Sequence, residues 1–284
     1  MIDLCVFLAG QNLDTYTPLF FETLYRNCDI SKIDVHVIEK GRFEYTGDYS
    51  EEVPWYTVLD LKYYIPGVGD KVHNYLLKKQ QEAANKFNIY EMHDPELFFK
   101  KATPNKPFFY LGDDHAETMN WAMENCGTKK WVLFCHSDIV FKGDIISKFI
   151  PHMKDHVGIL GIFSHCFAVN REAYYRVGIR FNSIANFRAE PVKHNGFDYE
   201  VRHASDPRGC SVDSKILYGW DVTELMQLIM IANGWSVDIS NNNPNFVYYL
   251  EHMCSGHGYV NELTRTYQEC RRVGWMQTYG IGRL

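Results

Sequence analysis

The chain has 284 residues, a formal net charge of −6, and 46% hydrophobic and 23% charged residues, so it can bury a large core without disulfide or metal staples. Its acidic balance weighs against a nucleic-acid partner, because the densest basic cluster, Lys71, Lys78 and Lys79, is interleaved with a helical pattern. Eight cysteines without a CxxC pair, no apolar run of bilayer length and a start (MIDLCVFLAG) without a basic signal region make a reduced, cytoplasmic chain the expectation.

Residues 2–9, IDLCVFLA, form an apolar run ended by Gly10 and read as a first strand. TYTPLFFETLYRNC, 15–28, carries helical spacing behind a Thr17 cap with Pro18 in the first turn. IDVHVIEKG, 33–41, is a second short strand, and strand, helix, strand at this spacing opens an α/β sheet whose strand ends carry ligands. Residues 42–70 alternate turn formers and aromatics without a period, apart from a short strand near 56–61. A helix follows over 71–87, then NIYEM as a strand.

FFYLGDDHAETMNWAMENCG, 108–127, reads as a short strand, a polar turn, and a helix capped by Asp113 or Asp114 and ended by Gly127. WVLF, 131–134, has the continuous apolar character of a central parallel strand. Asp144 caps the helix IISKFIPHMK, whose regular part Pro151 bends or ends. Residues 157–178 give a strand, a turn, a strand bearing CFAV and a short helix from Asn170. A polar loop spans 182–213, Asp221 and Glu224 start the helix in GWDVTELMQLIMIANGW, WSVDI is a further strand, and the tail from Asn241 contains EHMCSGHG.

Three features carry chemistry. In WVLFCHSDIVFKGD, His136 and Asp138 stand two apart at a strand's end, so both side chains can point one way and hold a divalent cation; a solvated turn accounts for the same residues. Asp221, between Trp220 and a helix, reads as an N-cap, a role that coexists with accepting a proton from a hydroxyl. His252 and His257, with Gly256 and Gly258 beside the second, can approach a metal or diphosphate closely, although their spacing matches no strong zinc signature. The chain lacks GxxxxGK[ST], the dinucleotide fingerprint and a GxSxG elbow.

Those stretches together resemble the nucleotide-sugar glycosyltransferases of the GT-A fold, closest to the broad inverting family 2-like group. IDLCVFLAG and VHVIEKG look like the first two donor-binding strands, with Ala9 at the end of one and Glu39 near the acidic position that faces the nucleotide. ETMNWAMENCGTKKWVLFCHSDIVF is similar to the family's Asn-containing helix, here Asn120, and the following strand with its Asp-x-Asp motif. His136 stands at the first Asp of that motif, Ser137 at its centre and Asp138 at its last position. LYGWDVTELMQLIMIANGWSV looks like the later acidic motif, with Asp221 on its catalytic base and Trp220 in place of the frequent Glu.

The resemblance implies an α/β, mostly parallel central sheet flanked by helices, with a donor site at the C-terminal strand ends. Residues 1–260 form the domain, 42–107 match poorly, and 261–284 make an extension packed on it. The implied activity is inverting transfer of a sugar from a nucleoside diphosphate sugar to an acceptor hydroxyl of a saccharide, a lipid-linked sugar or a protein. Mn²⁺ or Mg²⁺ would be held by Asp138 and His136 with His252 or His257. Ala9, Glu39, Asn120, His136, Ser137 and Asp138 would contact donor and ion. A retaining enzyme and a non-catalytic nucleotide- or carbohydrate-binding protein stay open, as does peripheral contact with a membrane.

Overall fold

Alternation along the first strand sets the architecture. In the computed structural model, which describes residues 1–10, 12–43, 59–60, 64–92, 108–109, 111–162, 165–178, 180–181, 192–194, 197–202, 216–218, 223–240, 242–253 and 262–284, β1 is Ile2–Gly10. Its Leu4, Val6 and Leu8 enter one apolar core, while Cys5 and Phe7 enter another on the opposite face of the sheet. A strand buried on both faces needs no polar alternation, which is why it reads as an apolar run broken only by Asp3.

Around β1 stand β2 (Ile33–Phe43), β3 (Leu59–Asp60), β4 (Tyr64–Pro66), β5 (Phe87–Glu91), β6 (Phe108–Phe109), β7 (Trp131–His136), β8 (Ile139–Phe141), β9 (Val157–Ile162) and β10 (Cys166–Asn170). Later strands are β11 (Val192–His194), β12 (Phe197–Arg202), β13 (Ile216–Tyr218), β14 (Ser236–Ser240) and β15 (Leu250–His252). The main sheet has eight strands in the order β14-β9-β10-β7-β1-β2-β4, with β5 also on β2. β1 pairs parallel with β2 and β7, β2 with β5, and β9 with β14, whereas β10 runs antiparallel to β7 and β9, and β4 to β2. The expected mostly parallel sheet is therefore mixed, because β9 and β10 are joined by too short a connection for a parallel crossover.

Helices cover both faces. On the Leu4 side lie α1 (Leu13–Asn27), α2 (Asp70–Glu82) and the short α4 (Ile145–Phe149), through Phe20, Phe21, Leu76 and Phe149 among others. On the Phe7 side lie α3 (Leu111–Asn125), α5 (Arg171–Val177) and α6 (Glu224–Ala232), through Met119, Met123, Tyr174 and Met230. Asp144 caps α4 by accepting from the Ser147 amide at 3.1 Å, and Asn170 caps α5 by accepting from the Glu172 amide at 3.0 Å, as their positions in the sequence predict. Pro151 ends α4 in a 3-10 turn, Ile150–His152.

Several boundaries differ from expectation. α1 begins at Leu13 behind Asn12, so Thr17 does not cap it and Pro18 lies inside it. α3 begins at Leu111, which places Asp113 and Asp114 within the helix. α2 ends at Glu82, five residues short of the predicted end. The polar loop over 182–213 contains β11 and β12, which join β13 in a three-stranded sheet. The tail forms α7 (Glu262–Tyr279), whose Trp275, Met276 and Tyr279 pack on Tyr16, Leu19, Val140 and Met253. Among the described residues no helix is long and apolar enough to cross a membrane.

Candidate metal centre

The polar triplet at the end of β7 stands where three backbone segments meet. β7 stops at His136, the turn at Ser137 and Asp138 redirects the chain, and β8 leaves the main sheet to pair antiparallel with β15, with His252 opposite Ile139. The Met253 amide donates to the Asp138 carbonyl at 2.9 Å, and the His136 amide donates to the His165 carbonyl at 2.9 Å. β1 runs parallel alongside, with Phe7 opposite His136. The C-terminal ends of two parallel strands therefore border the cluster.

The side chains converge there. His252 Nε2 lies 3.2 Å from Asp138 Oδ1, and His136 Nδ1 lies 4.0 Å from the same oxygen. One ring nitrogen from each of His136, His165 and His252 falls within 4.8 Å of the others. The rings of His165 and His252 stack with centroids 3.8 Å apart and planes 19° from parallel. His115, on α3, places its ring 5.0 Å from that of His136.

Burial keeps two of these imidazoles, His136 and His165, neutral. Burial first, then the neighbouring His115, push His136 well below the usual imidazole range, against the upward pull of Asp138. Burial and then His252 push His165 down to about 3, again against Asp138. A neutral ring keeps a lone pair for a Lewis acid. Burial and then the Asp138 charge push the Tyr16 phenol up, so Tyr16 stays protonated beside the carboxylate.

The donors fit a divalent transition ion. His136 Nε2 is buried with no hydrogen-bond partner among the described residues, an atom that normally costs about 1–3 kcal/mol to leave unsatisfied. A buried carboxylate beside neutral imidazoles is the donor chemistry such ions take, whereas Mg²⁺ keeps oxygen ligands and water.

Of the residues singled out from the sequence, the structure brings together His136, Ser137, Asp138 and His252; Asp221 and His257 lie outside the described residues. Ala9 lies opposite Gly41, just past a bulge in β2 at Lys40. Asn120 is buried and holds the chain at Phe181: its amide nitrogen donates to the Phe181 carbonyl at 2.9 Å, and its oxygen accepts from the Phe181 amide and the Tyr174 hydroxyl. Glu39 shares the face of Val35 and Val37, opposite that of Ile38. Both its oxygens lie 3.0 Å from His73 Nδ1 on α2, and with Glu91 these form a second group of ligating atoms within 4.8 Å of one another. β1 separates β7 from β2, so Glu39 and His136 stand roughly 10 Å apart at about 4.8 Å per strand. His165 and His115 have no counterpart in the sequence reading: each is a lone histidine, in SHCF and DDHAE, with no spacing signal beside it.

No family model and no curated protein matches the chain. Among solved structures, TarS of S. aureus is similar at 12% identity and a TM-score of 0.39, over 64% of this chain and 30% of that one. The mannosyltransferase PcManGT of Pyrobaculum calidifontis, solved with GDP-Man and Mn²⁺, is 12% identical with a TM-score of 0.39, over 63% of this chain and 47% of that one. The apo form of the glycosyltransferase GlyE from Streptococcus pneumoniae TIGR4 is 11% identical with a TM-score of 0.40, over 84% of this chain and 45% of that one. The chain thus spans less than half the length of each of these three proteins.

Proposed function

We propose that the protein is a metal-assisted glycosyltransferase that moves a sugar from a nucleoside diphosphate sugar to an acceptor hydroxyl with inversion at the anomeric carbon. The observation that carries this reading is Asp138 Oδ1 set 3.2 Å from His252 Nε2 and 4.0 Å from His136 Nδ1 at the C-terminal end of β7 beside parallel β1. Open α/β sheets bind ligands outside such strand ends. The place of the HSD triplet, between a strand resembling a nucleotide-binding strand and a later acidic motif, supports a phosphate-bearing donor.

In this reading Asp138, His136 and His252 hold the ion, which when bound supplies positive charge against the leaving diphosphate. Ser137 and Ala9 border the donor. Glu39 and Asn120 bond to His73 and to Phe181, and are given no donor contact. Asp221 takes the proton of the attacking hydroxyl, and the loops over 42–70 and 182–213 select a saccharide, lipid-linked or protein acceptor.

The test is release of nucleoside diphosphate from a panel of nucleotide sugars with Mn²⁺, Co²⁺ or Zn²⁺ supplied in turn. Release that is lost in Asp138→Asn supports the reading, with Asp221→Asn blocking transfer while nucleotide binding persists. A retained anomeric configuration in the product assigns the retaining class instead. A second reading, binding without transfer, is favoured by the imidazole of His136 where the resemblance expects a carboxylate; metal-dependent nucleotide binding with no release of nucleoside diphosphate selects it.

A further inference from the structure

Three imidazoles approach Asp138, and the reading above uses only two of them. His165 arrives from the β9–β10 connection, a segment that the sequence does not link to β7 or β15. Its place is set by the bond from the His136 amide to its carbonyl at 2.9 Å. Its ring lies against His252, and one of its nitrogens is within 4.8 Å of a nitrogen of both other histidines.

We infer that His165 is a metal ligand, and that the centre is imidazole-dominated: His136, His165, His252 and Asp138 together bind an ion of the Zn²⁺ or Co²⁺ class in preference to an oxygen-seeking ion. Two donors on one such ion, each about 2.1 Å from it, lie roughly 3.0–3.4 Å apart. The 3.2 Å between His252 Nε2 and Asp138 Oδ1 already has that spacing. Stacked rings cannot both aim a lone pair at one point, so binding turns one ring of the His165–His252 stack about χ2, a soft torsion. Neutral imidazoles in number suit Zn²⁺, Co²⁺ or Ni²⁺, while Mg²⁺ and Mn²⁺ prefer carboxylate, carbonyl and water. The four donors come from the end of β7, its following turn, the β9–β10 connection and β15, so a bound ion would tie these segments together. A five-coordinate ion keeps one further position for water or a phosphate oxygen.

This inference rests on the metal-binding part of the proposed function and is independent of sugar transfer. Zn²⁺ outcompetes Mn²⁺ at most nitrogen and oxygen sites, so relative affinity alone does not discriminate. The count of imidazoles does. X-ray absorption at the zinc edge of the Zn²⁺-loaded full chain is expected to show three imidazoles, falling to two in His165→Asn, with the visible bands of the Co²⁺-loaded protein changing in the same variant. Two or fewer imidazoles in the wild-type protein, or a count unchanged in His165→Asn, overturns it. The wild-type count decides the matter if the variant does not fold. Three imidazoles without metal-dependent binding of a nucleoside diphosphate sinks the transfer reading and leaves this inference standing; two imidazoles with that binding intact does the reverse.

Discussion

His252 Nε2 lies 3.2 Å from Asp138 Oδ1, and backbone pairing holds the contact in place: the Met253 amide donates to the Asp138 carbonyl, and His252 faces Ile139 across β8 and β15. Substituting either side chain should therefore remove a ligand while leaving the strand ladder intact. Asp138→Asn and His252→Gln are each expected to weaken metal binding by about 100-fold, or ~2.7 kcal/mol, in calorimetric titration. His73→Gln, on the opposite face of the sheet beside Glu39, should leave that affinity within about twofold, since every 1.4 kcal/mol is a factor of ten and no ligand changes. Equal losses in all three variants would show that the two groups of ligating residues do not act separately.

Acid stability should depend on Asp3. Its carboxylate is fully buried in β1, accepts from the Lys129 amide at 2.8 Å, and lies 3.2 Å from both His36 Nε2 and Arg171 Nη2. Burial pushes its pKa up, but the His36 and Lys129 hydrogen bonds and the neighbouring charges outweigh it, so the folded value lies below the unfolded one. Stability from this group is thus present above an unfolded pKa of about 3.9 and is lost as pH falls through the folded value. Asp3→Asn is expected to cost about 3 kcal/mol at pH 7, because it leaves the Arg171 charge without its partner. Urea unfolding between pH 3 and 7 checks this: the variant should lose less stability on acidification than the wild-type protein, and parallel curves count against the assignment.

The same carboxylate explains a glycine. Gly127 has φ +68°, and a Cβ there would stand 2.1 Å from Asp3 Oδ1. Gly127→Ala therefore combines an unfavourable backbone with an overlap that neither strand nor turn can relieve cheaply, and should destabilise by about 3 kcal/mol or more. Combined with Asp3→Ala the overlap disappears, so the double variant should be more stable than the sum of the single effects by at least about 1 kcal/mol. Strict additivity in denaturant unfolding would place the glycine's cost in φ alone.

The sequence reveals elements whose burial is local and hides those whose partners are remote. β1, β7, β9 and β10 are recognisable because each is a nearly unbroken apolar run, the mark of a strand covered on both faces, and β2 because Ile33, Val35 and Val37 alternate with polar residues ahead of Gly41. α7 escapes notice because its apolar positions, Trp275, Met276 and Tyr279, crowd into its last turns behind a charged first half and find their partners at Tyr16 and Leu19, far away in the chain. The candidate site divides the same way. His136, Asp138 and His252 border apolar strands and draw attention locally. His165 and His115 join them only because β10 pairs antiparallel with β7 and α3 covers the Phe7 face, relationships no short spacing encodes. Glu39 shows the converse: it sits at the end of the expected strand, yet its parity turns it toward His73 and away from His136.

The start of α1 shows how a remote contact overrides a local signal. Thr17 followed by Pro18 is a sound start signal, but the helix begins at Leu13, leaving the Asp14 carbonyl without the amide that residue 18 would normally supply. The Leu284 amide fills that position, donating to Asp14 O at 3.0 Å, and the Arg283 guanidinium pairs with the Asp14 carboxylate. Removing residues 281–284 should therefore fray the first turns of α1, seen as faster amide exchange over 13–18, at a cost of about 1–2 kcal/mol. Pro18→Ala restores an amide at residue 18 and should recover more stability in the shortened chain than it adds to the full one, by about 1 kcal/mol. If the substitution has the same effect in both backgrounds, the Asp14 carbonyl is not what Leu284 stabilises.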